Sequence, residues 1–90
     1  MPSRSVALRN ATGLHARPAR VFAKAAAAFD SDITVVKSDG DAEPVNGKSV
    51  LSVLTLDCHQ GDEIVISVEG PDADAALEHL VGLIDEGLGE

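Results

Sequence analysis

Of the three histidines in the chain, His15 has the neighbours that give an imidazole something to do: Gly13 lies two residues before it, Arg17 two residues after it, and Pro18 follows. Proline is tolerated in a helix only in the first turn, where its missing N–H costs nothing, so Pro18 predicts a helix start near His15 or Ala16. A helix start presents unpaired backbone N–H groups and the positive end of the dipole, which together make an anion site. The amides of Ala16 and Arg17 would be its donors. The dipole is worth about 0.3 to 1 kcal/mol per charge at an exposed position, whereas a guanidinium from Arg17 adds a charge-assisted hydrogen bond of roughly 1.5 to 3 kcal/mol. The arginine therefore contributes more than the dipole, and its planar fork matches phosphoryl oxygens in pairs. The same positive field disfavours imidazolium, and a neutral ring can attack phosphorus. A plainer reading of the spacing is a histidine near a helix N-cap that only hydrogen-bonds backbone. The residues alone leave both open.

The other reactive groups are placed less suggestively. His79 falls mid-helix beside an apolar ridge, a surface or packing position. Asp57, Cys58, His59 and Gln60 form a polar turn, but adjacent Cys and His lack the C-x₂-C or H-x₃-H spacing of a metal site. Neither a metal nor a cofactor is expected.

The elements that would position His15 follow from side-chain periodicity. Residues 3–9 set Val6 and Leu8 on one side and Ala7 and Arg9 on the other, which reads as a half-buried strand; residues 10–13 supply a turn. Over residues 16–29, Ala19, Phe22, Ala26 and Phe29 recur at spacings of three and four, one face of a helix. Residues 33–36 are rich in β-branched side chains and predict a second strand. A short third strand over 42–45 would be confined to an edge by Pro44. Residues 49–56 suit either a short helix or a buried strand. Residues 63–69 alternate clearly and predict a strand, and Asp72 is placed to cap a last helix carrying Ala73, Ala76, Leu77, Leu80, Val81, Ile84 and Leu88 at helical spacing. The order predicts an α+β domain with one mostly antiparallel sheet, its helices on a single face and its other face toward solvent.

Composition narrows the partners. Ninety residues with 44% apolar content make one small domain over 1–90, without room for a two-lobed cleft. A net charge of −8 argues against nucleic acid. The longest apolar run, residues 25–29, is far below the roughly 20 residues needed to span a bilayer, so no membrane insertion is expected. With a single Cys58 and no export pattern, a reducing cytoplasm is the expected compartment, and Met1 suggests a natural start.

The segment Gly13-Leu14-His15-Ala16-Arg17-Pro18-Ala19, GLHARPA, resembles the active-site signature of the phosphocarrier protein HPr family of the phosphoenolpyruvate-dependent sugar phosphotransferase system. Lys48-Ser49-Val50-Leu51 is similar to the family's second signature, and Glu86-Gly87-Leu88-Gly89-Glu90 to its common ending. The resemblance implies an open-faced β-sandwich, a four-stranded antiparallel sheet with three helices packed on one face, with residues 49–55 as a short helix. It implies that His15 accepts a phosphoryl group on Nδ1 from enzyme I and donates it to an enzyme IIA for sugar uptake, and that Arg17 steadies the phosphoryl oxygens. The chain would then be a phosphorylated intermediate rather than an independent enzyme. Ser49 matches the serine that a dedicated kinase phosphorylates in some members, although a serine there is also an ordinary helix cap. Residues 37–48 run about three residues longer than in many free-standing members and resemble the HPr-like domain of fructose-type multiphosphoryl transfer proteins.

A shuttle that docks on two proteins in turn needs a small, reversible contact, below about 1,200 Å². The expected patch joins His15, Arg17, Arg20 and Lys48 to Val50 and Leu51, with the chain otherwise monomeric. Val50 and Leu51 read equally as core packing, and Leu54 as core. A regulatory or adaptor module that binds partners according to its phosphorylation state is the second functional reading.

Overall fold

Alternation of side-chain class in one strand organises the molecule. A computed structural model describes residues 2–38 and 43–88, and its central strand turns Ile64, Ile66 and Val68 inward, all fully buried, while Glu63, Ser67 and Glu69 face away from the core. The elements run β1 (Ser3–Ala7), α1 (Ala16–Ala27), β2 (Asp32–Lys37), β3 (Val45–Asn46), α2 (Val50–Leu54), β4 (Glu63–Glu69) and α3 (Ala73–Asp85). The sheet order is β1-β4-β2-β3 with every pairing antiparallel. Register places Val6 opposite Ile64, Val35 opposite Ile66 and Ile33 opposite Val68, which builds one continuous apolar face. Phe22 and Ala26 of α1, Val53 of α2, and Leu80 and Ile84 of α3 cover that face, each with no measurable exposure. The expected open-faced sandwich is the fold observed.

Boundaries depart from the periodicity where hydrogen bonding changes partner. β1 stops at Ala7 rather than residue 9, because the amide of Leu8 donates to the Asp62 carbonyl and its carbonyl accepts from Gly61, both in the turn before β4. α1 stops two residues short of Phe29, where the amides of Ala28 and Phe29 bond the carbonyls of Ala25 and Ala26 three residues back and tighten the last turn. β3 is shorter and later than residues 42–45, pairing Asn46 with Thr34 and Val45 with Val35; Ala42 and residues 89–90 of the family-like ending lie outside the described residues. The ambiguous segment is helical, with the Ser49 hydroxyl accepting from the Ser52 amide at 3.3 Å, a cap worth about 1 kcal/mol. Val53 takes the inward position of α2, which leaves Leu54, expected in the core, only half-buried.

Asp72 occupies the N-cap position of α3 but does not cap with its side chain. Its carboxylate turns instead to the bend between α1 and β2, accepting from the amides of Asp30 (2.9 Å) and Ser31 (3.0 Å) and from the Ser31 hydroxyl. Gly70 makes that approach feasible: at φ +150°, any Cβ it carried would stand 2.6 Å from the Ser31 Cα. The Ser31 hydroxyl, followed by the Asp30 amide, holds the Asp72 carboxyl below its ordinary value of 3.8. The His59 amide and, to a lesser degree, Lys37 do the same for Asp62.

The turn into α1 is equally constrained. Gly13 has φ +62°, and a Cβ there would lie 2.5 Å from the Cys58 carbonyl oxygen and 2.6 Å from the His59 Cα. Gly13→Ala combines an unfavourable backbone conformation with a backbone collision, so unfolding in urea should show a loss of at least about 2 kcal/mol; a melting temperature within a degree or two of wild type would contradict the geometry. A depressed folded-state pKa stabilises above the unfolded value and loses its effect as pH falls through the folded one. Asp72→Asn should therefore lower the melting temperature at neutral pH, with the difference from wild type shrinking as pH falls below the ordinary carboxylate value and through the lower folded-state one.

Candidate functional site

The chain leaves β1 through the buried Leu8 and returns to the molecular edge by a tight turn over residues 10–13. The Gly13 amide donates to the Asn10 carbonyl at 3.1 Å, and the Asn10 Nδ2 donates back to the Gly13 carbonyl at 2.6 Å. The next amide, that of buried Leu14, is taken by the Cys58 carbonyl at 3.1 Å. With Leu14 anchored below, His15 comes out on the surface.

His15 is the N-cap of α1, in extended backbone geometry (φ −73°, ψ −178°), and its carbonyl accepts the Ala19 amide at 2.8 Å. Its side chain makes no capping hydrogen bond and is exposed. The imidazole therefore does not serve as a side-chain cap of α1. Ala16 and Arg17 open the helix, Pro18 brings no N–H, and no acidic residue occupies the first turn to consume the positive field. Pro18 and Ala19 are buried and lock the helix to the core at this end.

Arg17 and Arg20 are exposed and make no ion pair among the described residues. Together with Lys24 and Lys48 they line a groove of about 460 Å³ between α1 and α2, whose apolar wall includes Val21 and Val50. Lys24 is the member of this group that motif reading misses; its spacing of seven from Arg17 and four from Arg20, one helix face, is the signal that could have found it. Lys48 differs from a free rim charge, because its ammonium donates to the Phe29 carbonyl at 2.8 Å and so ties the lead into α2 to the end of α1. Of the two residues that could have been core, Leu51 is 78% exposed and stands as an apolar knob beside the cations, whereas Val50 is half-buried, packed against the core while its outer edge lines the groove. Ser49 lies between, its hydroxyl engaged in the α2 cap.

The remaining reactive groups stand apart from this cluster in character. Cys58 is buried, and the exposed His59 lies 3.6 Å from Asp57 and 3.8 Å from Asp62. No three His, Cys, Asp or Glu among the described residues are grouped to hold a metal. His79 is exposed with its ring 5.7 Å from that of Phe29. No helix among the described residues is long and apolar enough to cross a membrane.

Comparison with known proteins points the same way as the geometry. Residues 2–86 match the family described as the PTS HPr component phosphorylation site. The phosphocarrier protein HPr of Streptomyces coelicolor is 47% identical over 90 residues, covering 100% of this chain and 95% of that one. The multiphosphoryl transfer protein of Vibrio cholerae is 42% identical over 83 residues, which are 92% of this chain and 21% of that one. Among solved structures, HPr of Thermoanaerobacter tengcongensis superimposes with a TM-score of 0.91 at 39% identity, covering 100% of this chain and 98% of that one. With the fold, the signature and the surface histidine at a helix start in agreement, the chain belongs to the HPr family, the phosphocarrier proteins of the phosphotransferase system.

Proposed function

We propose that His15 is the residue on which this phosphocarrier holds its cargo, taking the phosphoryl group from phosphorylated enzyme I and giving it to an enzyme IIA domain during sugar uptake. The observation that carries the reading is an exposed imidazole at the start of α1, unused by any capping bond, with a guanidinium two residues on that makes no ion pair among the described residues. In the loading step the Nδ1 lone pair forms a bond to phosphorus while the donor's bond to phosphorus breaks, the donor keeping that electron pair. Delivery reverses the roles, and the ring returns neutral. Charge spreads over three phosphoryl oxygens in such a transfer, so catalysis is mostly positioning and electrostatics. The Ala16 and Arg17 amides and the Arg17 guanidinium supply the positive field on this side, and the partner supplies the rest.

Docking falls to the adjoining surface. Leu51 and Val50 give an apolar centre, and Arg20, with Lys48 behind it, gives a cationic edge on a chain of net charge −8. Rim charges of this kind set encounter rate and partner choice more than residence time, which suits a monomeric carrier that must leave each partner quickly. Acidic faces on enzyme I and the enzyme IIA domain are the complement. Phosphorylation of Ser49 by a serine kinase would place about two negative charges beside Lys48, opposing the same encounter. The carrier works in the cytoplasm, without catalysing turnover on its own.

Incubated with phosphoenolpyruvate and enzyme I, the wild-type chain should gain one acid-labile, base-stable phosphate whose phosphorus NMR signal reports an Nδ1 linkage, and His15→Ala should gain none. Phosphate retained by that variant would move the site elsewhere. Arg17→Ala should slow phosphoryl transfer about 10- to 100-fold, the kinetic equivalent of losing a charge-assisted bond of roughly 1.5 to 3 kcal/mol, with Arg17→Lys recovering only part. Equal rates for all three chains in rapid-quench measurements would remove Arg17 from the site.

A further inference from the structure

We propose that Asn10 is a positioning residue for phosphoryl transfer, its buried carboxamide setting the direction from which His15 presents its ring. The proposal rests on the reading of His15 as the acceptor. Asn10 and Ser31 are the two buried polar residues among those described, Asn10 at 5% exposure. A turn over residues 10–13 needs only the Asn10 carbonyl, which accepts the Gly13 amide; any residue supplies that. The side chain adds something a turn does not require. Its Nδ2 donates to the Gly13 carbonyl at 2.6 Å and lies 3.5 Å from the Thr12 hydroxyl.

The consequence lies in the peptide that joins Gly13 to Leu14. Its oxygen is held by the Asn10 carboxamide and its N–H by the Cys58 carbonyl, on opposite edges of one plane. That plane is separated from the His15 Cα by a single further peptide, and the Leu14 side chain between them is 3% exposed and seated in the core. Rotation of the chain ahead of His15 would break a buried hydrogen bond or unseat Leu14. The imidazole has no capping bond to hold it, so its aim depends on the backbone that carries it. Reacting atoms must meet in line, and a misplacement of about 1 Å can cost on the order of 100-fold in rate.

The test uses the full chain with enzyme I and phosphoenolpyruvate. Rates are expressed per folded molecule, counted from amide NMR signals in the same sample, so that lost stability cannot imitate lost aim. With this chain as the acceptor, Asn10→Ala should lower the kcat of enzyme I about 10- to 100-fold while its KM for the folded chain moves less than about threefold. The His15 ring resonances should shift, and those of Arg20 and Val50, on the docking face, should hold. Asn10→Ser, whose hydroxyl keeps a donor on a shorter arm, should fall between, and it stands in by the same limits if Asn10→Ala yields no folded molecules. A kcat of enzyme I with the folded variant within about twofold of that with wild type overturns the proposal. So does a loss confined to KM. A wild-type chain that takes no phosphate on His15 sinks the acceptor reading instead, and that result appears before any variant is made.

Discussion

The first amides of α1 have no carbonyl within their own helix to bond, and the rest of the molecule is arranged around leaving them that way. A proline at the third position, an absence of acids in the first turn and an N-cap whose side chain stays out of the cap all preserve an unquenched positive end. Ordinary helix starts are satisfied by Ser, Asp or Asn at a gain of about 1 kcal/mol. Here that stabilisation is forgone at α1 while it is taken at α2, where Ser49 caps with its hydroxyl. The start of α3 also lacks a side-chain cap, but there the Asp72 carboxylate is engaged with Asp30 and Ser31, whereas the His15 side chain at α1 stays exposed.

Forgoing a cap leaves the helix start to be held by other means. Pro18 and Ala19 are buried beneath it, Leu14 is anchored just ahead of it, and Gly13 packs its backbone against residues 58 and 59. The loop between α2 and β4 thus acts as the floor of the site although none of its side chains is proposed to meet the phosphoryl group. At the opposite end of the molecule, the Asp72 carboxylate does a comparable job by joining two turns. Rigid ends suit a carrier whose only moving part needs to be one exposed ring.

Much of this was legible in the residues. Proline reports a helix start because its chemistry admits few alternatives, and strict alternation in β4 reports a central strand because one face must be apolar. The signature around His15 named the family and with it the sheet-and-helix plan. What periodicity could not show were effects that join distant segments. Asp72 looks like a cap in sequence, and only folding brings Ser31 to it, 41 residues away. Lys48 looks like a free cation, and only folding brings it to the Phe29 carbonyl. Asn10 reads as one turn residue among several until burial shows its carboxamide turned inward. Val50, Leu51 and Leu54 could not be sorted into core and surface because five residues hold too few turns of helix to define a face.

That same brevity shapes how the molecule meets others. A helix as short as α2, Val50–Leu54, does not persist alone in water; Val53 in the core, the Ser49 cap and the Lys48 tether hold it in shape. Leu51, the most exposed large apolar side chain among the described residues, is therefore mounted on a segment with little stiffness of its own. If the proposed docking face is right, such a mounting would let Leu51 yield slightly to differently contoured hosts while α1 stays put, and one face would suffice for two of them.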